Sequence, residues 1–235
     1  MPIDDPASQA LARLLPDLPR WVEVRSMLLS GQGFALGVAV GPPPVFVALE
    51  PDGLGIVVGH PPHDVIRTAA GRVREVLAAP EDAEWVGSAL PHWRREPATI
   101  HTLDSDARLP TVPAGIVREI QSGQLEAVPD RALREELLSE SAEGTRIVAA
   151  YAGEIPVAFC YAGSVTERWW DIAIDTLEPY RRMGYAALCV SFRIREMALL
   201  GKRPVWGAVR SNVASLGLAA RLGFRGVDTL LVFTP

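Results

Sequence analysis

The run Arg181-Arg182-Met183-Gly184-Tyr185-Ala186 constrains this chain more than any other stretch. It follows residues 169–176, Trp-Trp-Asp-Ile-Ala-Ile-Asp-Thr, which read as a strand, and it opens a run ending near Leu200 that reads as a helix. A strand, a tight basic loop with a glycine and then a helix is one way to hold a pyrophosphate. The loop's N–H groups converge on phosphate oxygens, and the helix N-terminus adds partial positive charge. A bulky side chain at Gly184 or Ala186 would hold the phosphate off the backbone. Arg181 and Arg182 can add charge-assisted hydrogen bonds. A solvated basic turn is the structural alternative for the same residues.

A chain of 235 residues, 49% hydrophobic and 22% charged, can bury a sizeable core and fills two modest domains or one large one. The net charge of −5 speaks against nucleic acid as a main partner. Cys160 and Cys189 make no disulfide framework and sit in apolar runs, as buried free thiols do. No apolar stretch is long enough to span a bilayer, and the acidic start Met1-Pro2-Ile3-Asp4-Asp5 leads into no secretory apolar region. A soluble, cytoplasmic protein with no membrane partner is expected.

Residues 7–15 read as a short helix, and 34–40, 45–49 and 54–58 as strands, with Gly41-Pro42-Pro43-Pro44 between the first two. Asp64 is expected to cap a helix with the apolar stripe Ile66, Ala69, Val73 and Leu77, stopped by Pro80. Arg94-Arg95 reads as a solvated turn and 98–103 as a strand. The polar, proline-ended segment 104–110 marks a domain boundary, dividing a smaller N-terminal α/β domain, 1–107, from a second domain, 108–235.

Further on, 116–120 reads as a strand, and Asp130 caps a helix bearing Leu133, Leu137 and Leu138. Residues 146–151 and 156–161 pair as a hairpin across Ala152-Gly153-Glu154. The helix after the basic loop carries Ala187, Val190, Ile194 and Met197 on one face, with Arg193, Arg195 and Glu196 off it. Residues 205–209 make a strand, Ser211 or Asn212 caps a last helix ending at Gly223, and 230–233 closes the sheet.

This order, with the loop in this place, resembles the GNAT superfamily of N-acetyltransferases over residues 109–235. The family's pyrophosphate motif, Arg or Gln, two residues, Gly, one residue, then Gly or Ala, is met by Arg181, Gly184 and Ala186. A second feature, Asn, a small or hydroxyl residue three positions on and a Leu-Gly-Phe ending, is met by Asn212, Ser215 and Leu222-Gly223-Phe224. The resemblance implies an α/β (α+β) fold with a mixed, mostly antiparallel sheet flanked by helices. It places the first half either as a degenerate copy of that fold or as an unrelated sheet domain.

It also implies acetyl-CoA as co-substrate. The pyrophosphate would lie on Arg181, Arg182, Met183, Gly184, Tyr185 and Ala186. The pantetheine arm would lie along Ile174 and Thr176, with Asn212 and Ser215 beside it. Many members place a Tyr seven positions after the Asn to protonate the CoA thiolate; here that position is Ala219. Ser215, a water or another residue then serves, or the thiolate leaves unaided.

Acetyl transfer to an amine needs a proton acceptor. Alternation along 169–176 puts Asp171, Ala173 and Asp175 on one face and Trp170, Ile172, Ile174 and Thr176 on the other. Asp171 and Asp175 are therefore candidate bases or amine-binding anions, with wet-face charges as the alternative reading; Glu167 and Glu178 flank them. Trp169 and Trp170 suit core packing or an acceptor wall, and the apolar run 21–29 does too. His60 and His63 surround Pro61-Pro62 with no further His or Cys near, so no metal is expected. A small-molecule primary amine is the expected acceptor. A protein amine, or a non-catalytic CoA-binding module, are the alternatives.

Overall fold

The computed structural model describes residues 6–41, 43–50 and 53–235. Pro42 of the proline-rich turn and the acidic start at residues 1–5 lie outside the described residues. In the first half, helices α1 (Pro6–Leu14) and α2 (Val22–Ser30) precede strands β1 (Phe34–Ala39), β2 (Val45–Leu49) and β3 (Leu54–Val58). Then come α3 (His63–Ala70), β4 (Glu75–Ala78), α4 (Ala83–Ala89) and β5 (Arg94–Leu103). The second half opens with β6 (Val117–Glu119), α5 (Ser122–Leu125) and α6 (Arg131–Ala142), and continues with β7 (Val148–Ala152), β8 (Ile155–Val165) and β9 (Trp169–Thr176). It ends with α7 (Tyr185–Leu199), β10 (Arg203–Val209), α8 (Val213–Leu222) and β11 (Phe224–Thr234).

Apart from β6, the halves repeat one order: two helices, three antiparallel strands, a helix, a strand parallel to the third, a helix and a long last strand. All strands join one sheet in the order β1-β2-β3-β4-β11-β5-β10-β9-β8-β7-β6. The last strands are exchanged. β5 of the first half pairs with β10 of the second, β11 pairs with β4, and the two run together from Phe224↔Leu103 to Thr234↔Arg94. The connector between the halves is pinned as well, Asp104 N–H donating to Gly223 O at 3.1 Å.

α2 lies against β1, β2, β8 and β9, so the sheet curls around it. Under it sits a core of Val24, Met27, Leu28, Phe46, Ile56, Leu77, Ile100, Trp169, Val205 and Val232, drawn from both halves. α6 packs Leu133 and Leu137 against Phe159 and Tyr161 of β8. α7 covers the other face, with Cys189, Val190, Ile194 and Met197 against Cys160, Trp170, Ile172 and Trp206. Both cysteines are buried and free, as expected. Buried Arg25 fastens α2 to the β8–β9 turn: its guanidinium donates to Ala12 O and Leu15 O and bonds both Glu167 carboxylate oxygens at 2.7 Å.

Three local expectations need correcting. The helix over 63–70 is shorter than its stripe suggests: it ends before Gly71, its N-cap is Pro62 rather than Asp64, and Leu77 lies in β4. Val76, Leu77 and Ala78 are buried in the sheet interior, where a continuous apolar strand mimics helical spacing. Arg94-Arg95 is no turn but the start of β5, opposite Thr234 and Phe233. Arg193 is not on a wet face; it is 7% exposed, with Nη1 bonded to Glu196 at 3.3 Å.

Candidate active site

β9 and β10 pair in parallel only from Trp169↔Arg203 to Asp171↔Val205. Beyond that point β10 stays on β5 as far as Val209↔Ala98, and β9 stays on β8 as far as Thr176↔Ala158. Between them, the edge of β9 over 172–176 has no strand partner among the described residues. A V opens, with Asp171 at its apex. Unpaired strand edges of this kind can take an extended, amide-bearing ligand as an added strand. Among the described residues of the first half there is no such opening, because its parallel pair stays zipped from Leu54↔Glu75 to Val57↔Ala78. The segment after β3 also carries Pro61 and Pro62, which have no N–H to offer an anion.

At the mouth of the V the chain turns through Glu178–Tyr180 into the basic loop and α7. Arg182 has φ 64 and Gly184 φ 93, and Gly184 is the N-cap of α7. A Cβ built on Gly184 meets nothing within 4 Å, so the space over the loop is open. The N–H groups of Arg182, Met183 and Gly184 donate to no acceptor among the described residues, and the first turn of α7 adds N–H groups that lie ahead of its first intrahelical bond, Leu188 N–H to Gly184 O. This is the geometry of an anion cradle. Arg181 Nε donates to Thr176 O at 3.1 Å, tying the loop to the end of β9. Ile174 is half-buried along the open edge.

Because β9 and β10 are parallel, the residues after β10 reach the same mouth. Asn212 caps α8, its Oδ1 accepting from Ser215 N–H at 3.1 Å. The plain cap is therefore real, and it fixes Ser215. The Ser215 hydroxyl accepts from the indole N–H of buried Trp206 at 2.8 Å, which leaves its own proton free to be donated. Ala219 is wholly buried, in a cluster with Trp206 and Phe224, whose rings meet edge-on with centroids 5.2 Å apart. A tyrosine at 219 would have to displace that pair. Trp206 as the partner of Ser215 was not legible from sequence, since no local spacing links an indole on a strand to a hydroxyl on the next helix.

On the face of β9 shared by α2 and α6, Asp171 and Asp175 do lie on the same side as Trp169 and Ala173. A bulge in β8 between Ala162 and Ser164 sits opposite Asp171 and Ile172. Asp171 is half-buried; desolvation, then the nearby charge of Glu23, push its carboxyl well above the usual range, while the N–H groups of Gly207 and Ile172 pull the other way. Burial and then Glu136 raise Asp175, against Arg181. Tyr161 OH donates to Glu136 at 2.5 Å beside it. Glu23, inside a run legible only as apolar, has its carboxyl pushed up to about 7 by burial and then by Glu75.

The other singled-out residues serve packing or pairing. Glu167 holds Arg25, and Trp169 donates its indole N–H to Asp17 O at 3.1 Å. Fully buried Trp170 packs under α7. His60 sits 3.2 Å from Asp82 Oδ1 and stacks on Trp85, and His63 packs on the same ring.

Residues 141–233 match the family model for GNAT acetyltransferase. A GCN5-related N-acetyltransferase-like protein from Streptococcus suis superposes with a TM-score of 0.70 at 19% identity, covering 97% of each chain. A GNAT-family acetyltransferase from Colwellia psychrerythraea gives 0.62 at 11% identity, over 99% of this chain and 97% of that one. A tandem GNAT protein from the clavulanic acid biosynthesis pathway gives 0.59 at 14% identity, over 100% of this chain and 96% of that one. These likenesses concern the fold. Among curated protein sequences none matches this chain. No helix among the described residues is long and apolar enough to cross a membrane.

Proposed function

We propose, on the premise that residues 141–233 form a GNAT acetyltransferase domain, that this chain transfers the acetyl group of acetyl-CoA to a primary amine of a small molecule. The observation that carries the reading is the V between β9 and β10 that ends on a loop of free N–H groups. The residues fit the co-substrate. The cradle from Arg181 to Ala186 would take the pyrophosphate, with open space above Gly184. The free edge over Ile174 and Thr176 would take the pantetheine amides, and Asn212 and Ser215 stand at the same mouth.

Asp171 at the apex accepts the proton of the incoming ammonium, and Asp175 adds negative charge along the same face. The amine nitrogen then bonds to the acetyl carbon, the carbon–sulfur bond breaks, and the second proton that the nitrogen sheds replaces the one that the Ser215 hydroxyl passes to the departing sulfur. In this reading residues 108–235 are the transferase domain. Residues 1–107 act as a degenerate copy, which wraps α2 over the acceptor side and lends β5 to the sheet.

Thiol release from acetyl-CoA over a panel of amines tests the proposal, alongside CoA-dependent thermal stabilisation. Turnover on small amines supports it. Turnover only on peptides would move the acceptor to a protein amine. Stabilisation by CoA with no turnover on any amine would leave a CoA-binding module, the reading that buried Ala219 favours.

A further inference from the structure

We infer that Gly207, on the β10 arm of the V, opens an apolar notch beside the thioester, and that the donor site therefore takes straight-chain acyl groups longer than acetyl, such as the propionyl and butyryl thioesters of CoA. The inference rests on the acetyl-transfer reading above and concerns the donor class of that same site.

Gly207 lies in a central strand of the sheet, yet it is exposed, while its neighbours Trp206 and Ala208 are buried. Nothing in the fold asks for a glycine there. β10 pairs with β5 without a bulge from Val205↔Thr102 to Val209↔Ala98, and Gly207 does not have a positive φ. A Cβ built on it meets only Ile100 Cδ1, at 3.6 Å, an ordinary contact. A glycine inside a strand weakens it, and where neither a bulge nor a crowded neighbour accounts for it, it marks the close approach of a ligand.

An acyl tail has one way out of the V. Past the thiol the plane of the sheet is closed by the pairing Asp171↔Val205. The nearby cation, Arg203, lies on the closed side of that pairing, stacked on Trp169. One face is filled by Trp170, Ile172, Trp206 and Ala208 under α7 and α8. On the other face α2 lies over β8 and β9, and Pro19–Trp21 over β5 and β11, so β10 runs between them. Alternation puts Gly207 on that face with Val205 and Val209, beside Ile100 of β5. These walls are apolar, and Asp171 stands on the other arm, β9. The amine is thus served from one arm while the acyl tail lies on the other. Transfer follows the course given for acetyl: nitrogen bonds to the acyl carbon and the carbon–sulfur bond breaks. The nitrogen's two protons go to Asp171 and, through Ser215, to the sulfur, and a longer amide and CoA leave.

Calorimetric titration of acetyl-CoA and butyryl-CoA into the full chain, with no amine present, tests the notch. The wild type is expected to bind butyryl-CoA about threefold more tightly than acetyl-CoA, from the methylenes removed from water. Gly207→Val suits a strand and fills the notch, and is expected to turn the ratio round, leaving butyryl-CoA about tenfold the weaker. Should that variant fail to fold, Gly207→Ala takes its place and is expected to bring the ratio to about one. Weaker binding of butyryl-CoA than of acetyl-CoA by the wild type overturns the inference. So does a ratio that the substitution leaves unchanged, the result a merely structural glycine predicts. Either outcome leaves the transferase reading standing. Any amine that accepts acetyl is expected to accept butyryl as well, and transfer of acetyl alone overturns the inference too. A preference for butyryl-CoA without transfer to any amine keeps the notch and sinks the transferase reading; binding of neither thioester sinks both.

Discussion

Trp206 Nε1 donates a 2.8 Å hydrogen bond to Ser215 Oγ, joining the floor of the V to the first turn of α8. The bond turns a surface-helix serine into an oriented proton donor. Ser215→Ala is expected to lower kcat on the order of 10- to 10²-fold with little change in KM for acetyl-CoA. It also strands a buried indole N–H, a loss of about 1–2 kcal/mol visible as a lower Tm. Trp206→Phe should reduce kcat less, because the hydroxyl keeps its own proton. Steady-state kinetics on both variants check this. An unchanged kcat in Ser215→Ala would remove the serine from the chemistry.

Gly184 combines φ 93 with open space above it, so a side chain there is strained and projects into the proposed pyrophosphate site. Gly184→Ala should cost roughly 1–2 kcal/mol from the left-handed backbone and weaken CoA binding. Gly184→Asp should abolish binding, by bulk and by charge, while the circular dichroism spectrum stays native. Calorimetric titration with CoA decides; unchanged affinity would mean the phosphate sits elsewhere.

The raised carboxyls make both stability and activity depend on pH. The Glu23 carboxyl stands at about 7 in the folded chain against an ordinary 4.5. Between those values the folded state holds a proton that the unfolded state releases, so this group's contribution is full below the lower value and is lost as pH rises through the upper one. Glu23→Gln should flatten the fall of Tm across that window. For catalysis the sign is opposite. As the proposed base, Asp171 must be ionised, so kcat/KM should climb with pH above the usual carboxylate range, and Asp171→Asn should remove the limb.

Arg25 is buried, and Glu167 answers it with both carboxylate oxygens. Arg25→Met removes the cation but leaves two backbone carbonyls and a carboxylate without their donor. A loss of about 1–3 kcal/mol is expected in chemical denaturation, most of it from the carbonyls of Ala12 and Leu15, because the Glu167 carboxylate is half exposed and returns to water. Adding Glu167→Gln to Arg25→Met should change stability little further, since the half-exposed carboxylate is solvated without its partner.

The second half was readable because its signals are local. A glycine at a strand-to-helix turn, an asparagine cap and a Leu-Gly-Phe ending each act within a few residues. The first half hides its signals. β4 is buried within the sheet and reads as the tail of α3, and α2 carries Val22, Val24, Arg25, Met27 and Leu28 buried around most of its circumference, which erases a clean stripe. Asp171 could be placed on a face by alternation, but Trp206, which holds Ser215, lies on another strand, and no local spacing in the sequence links the indole to that hydroxyl.

The exchange of β5 and β11 binds the two halves in a way their separate cores do not. Each half's parallel pair is flanked by a strand from the other, so neither can be expressed alone without baring a hydrogen-bonding edge to solvent. Whatever the first half binds or fails to bind, it cannot be dispensed with, because the second half's sheet is completed by its last strand.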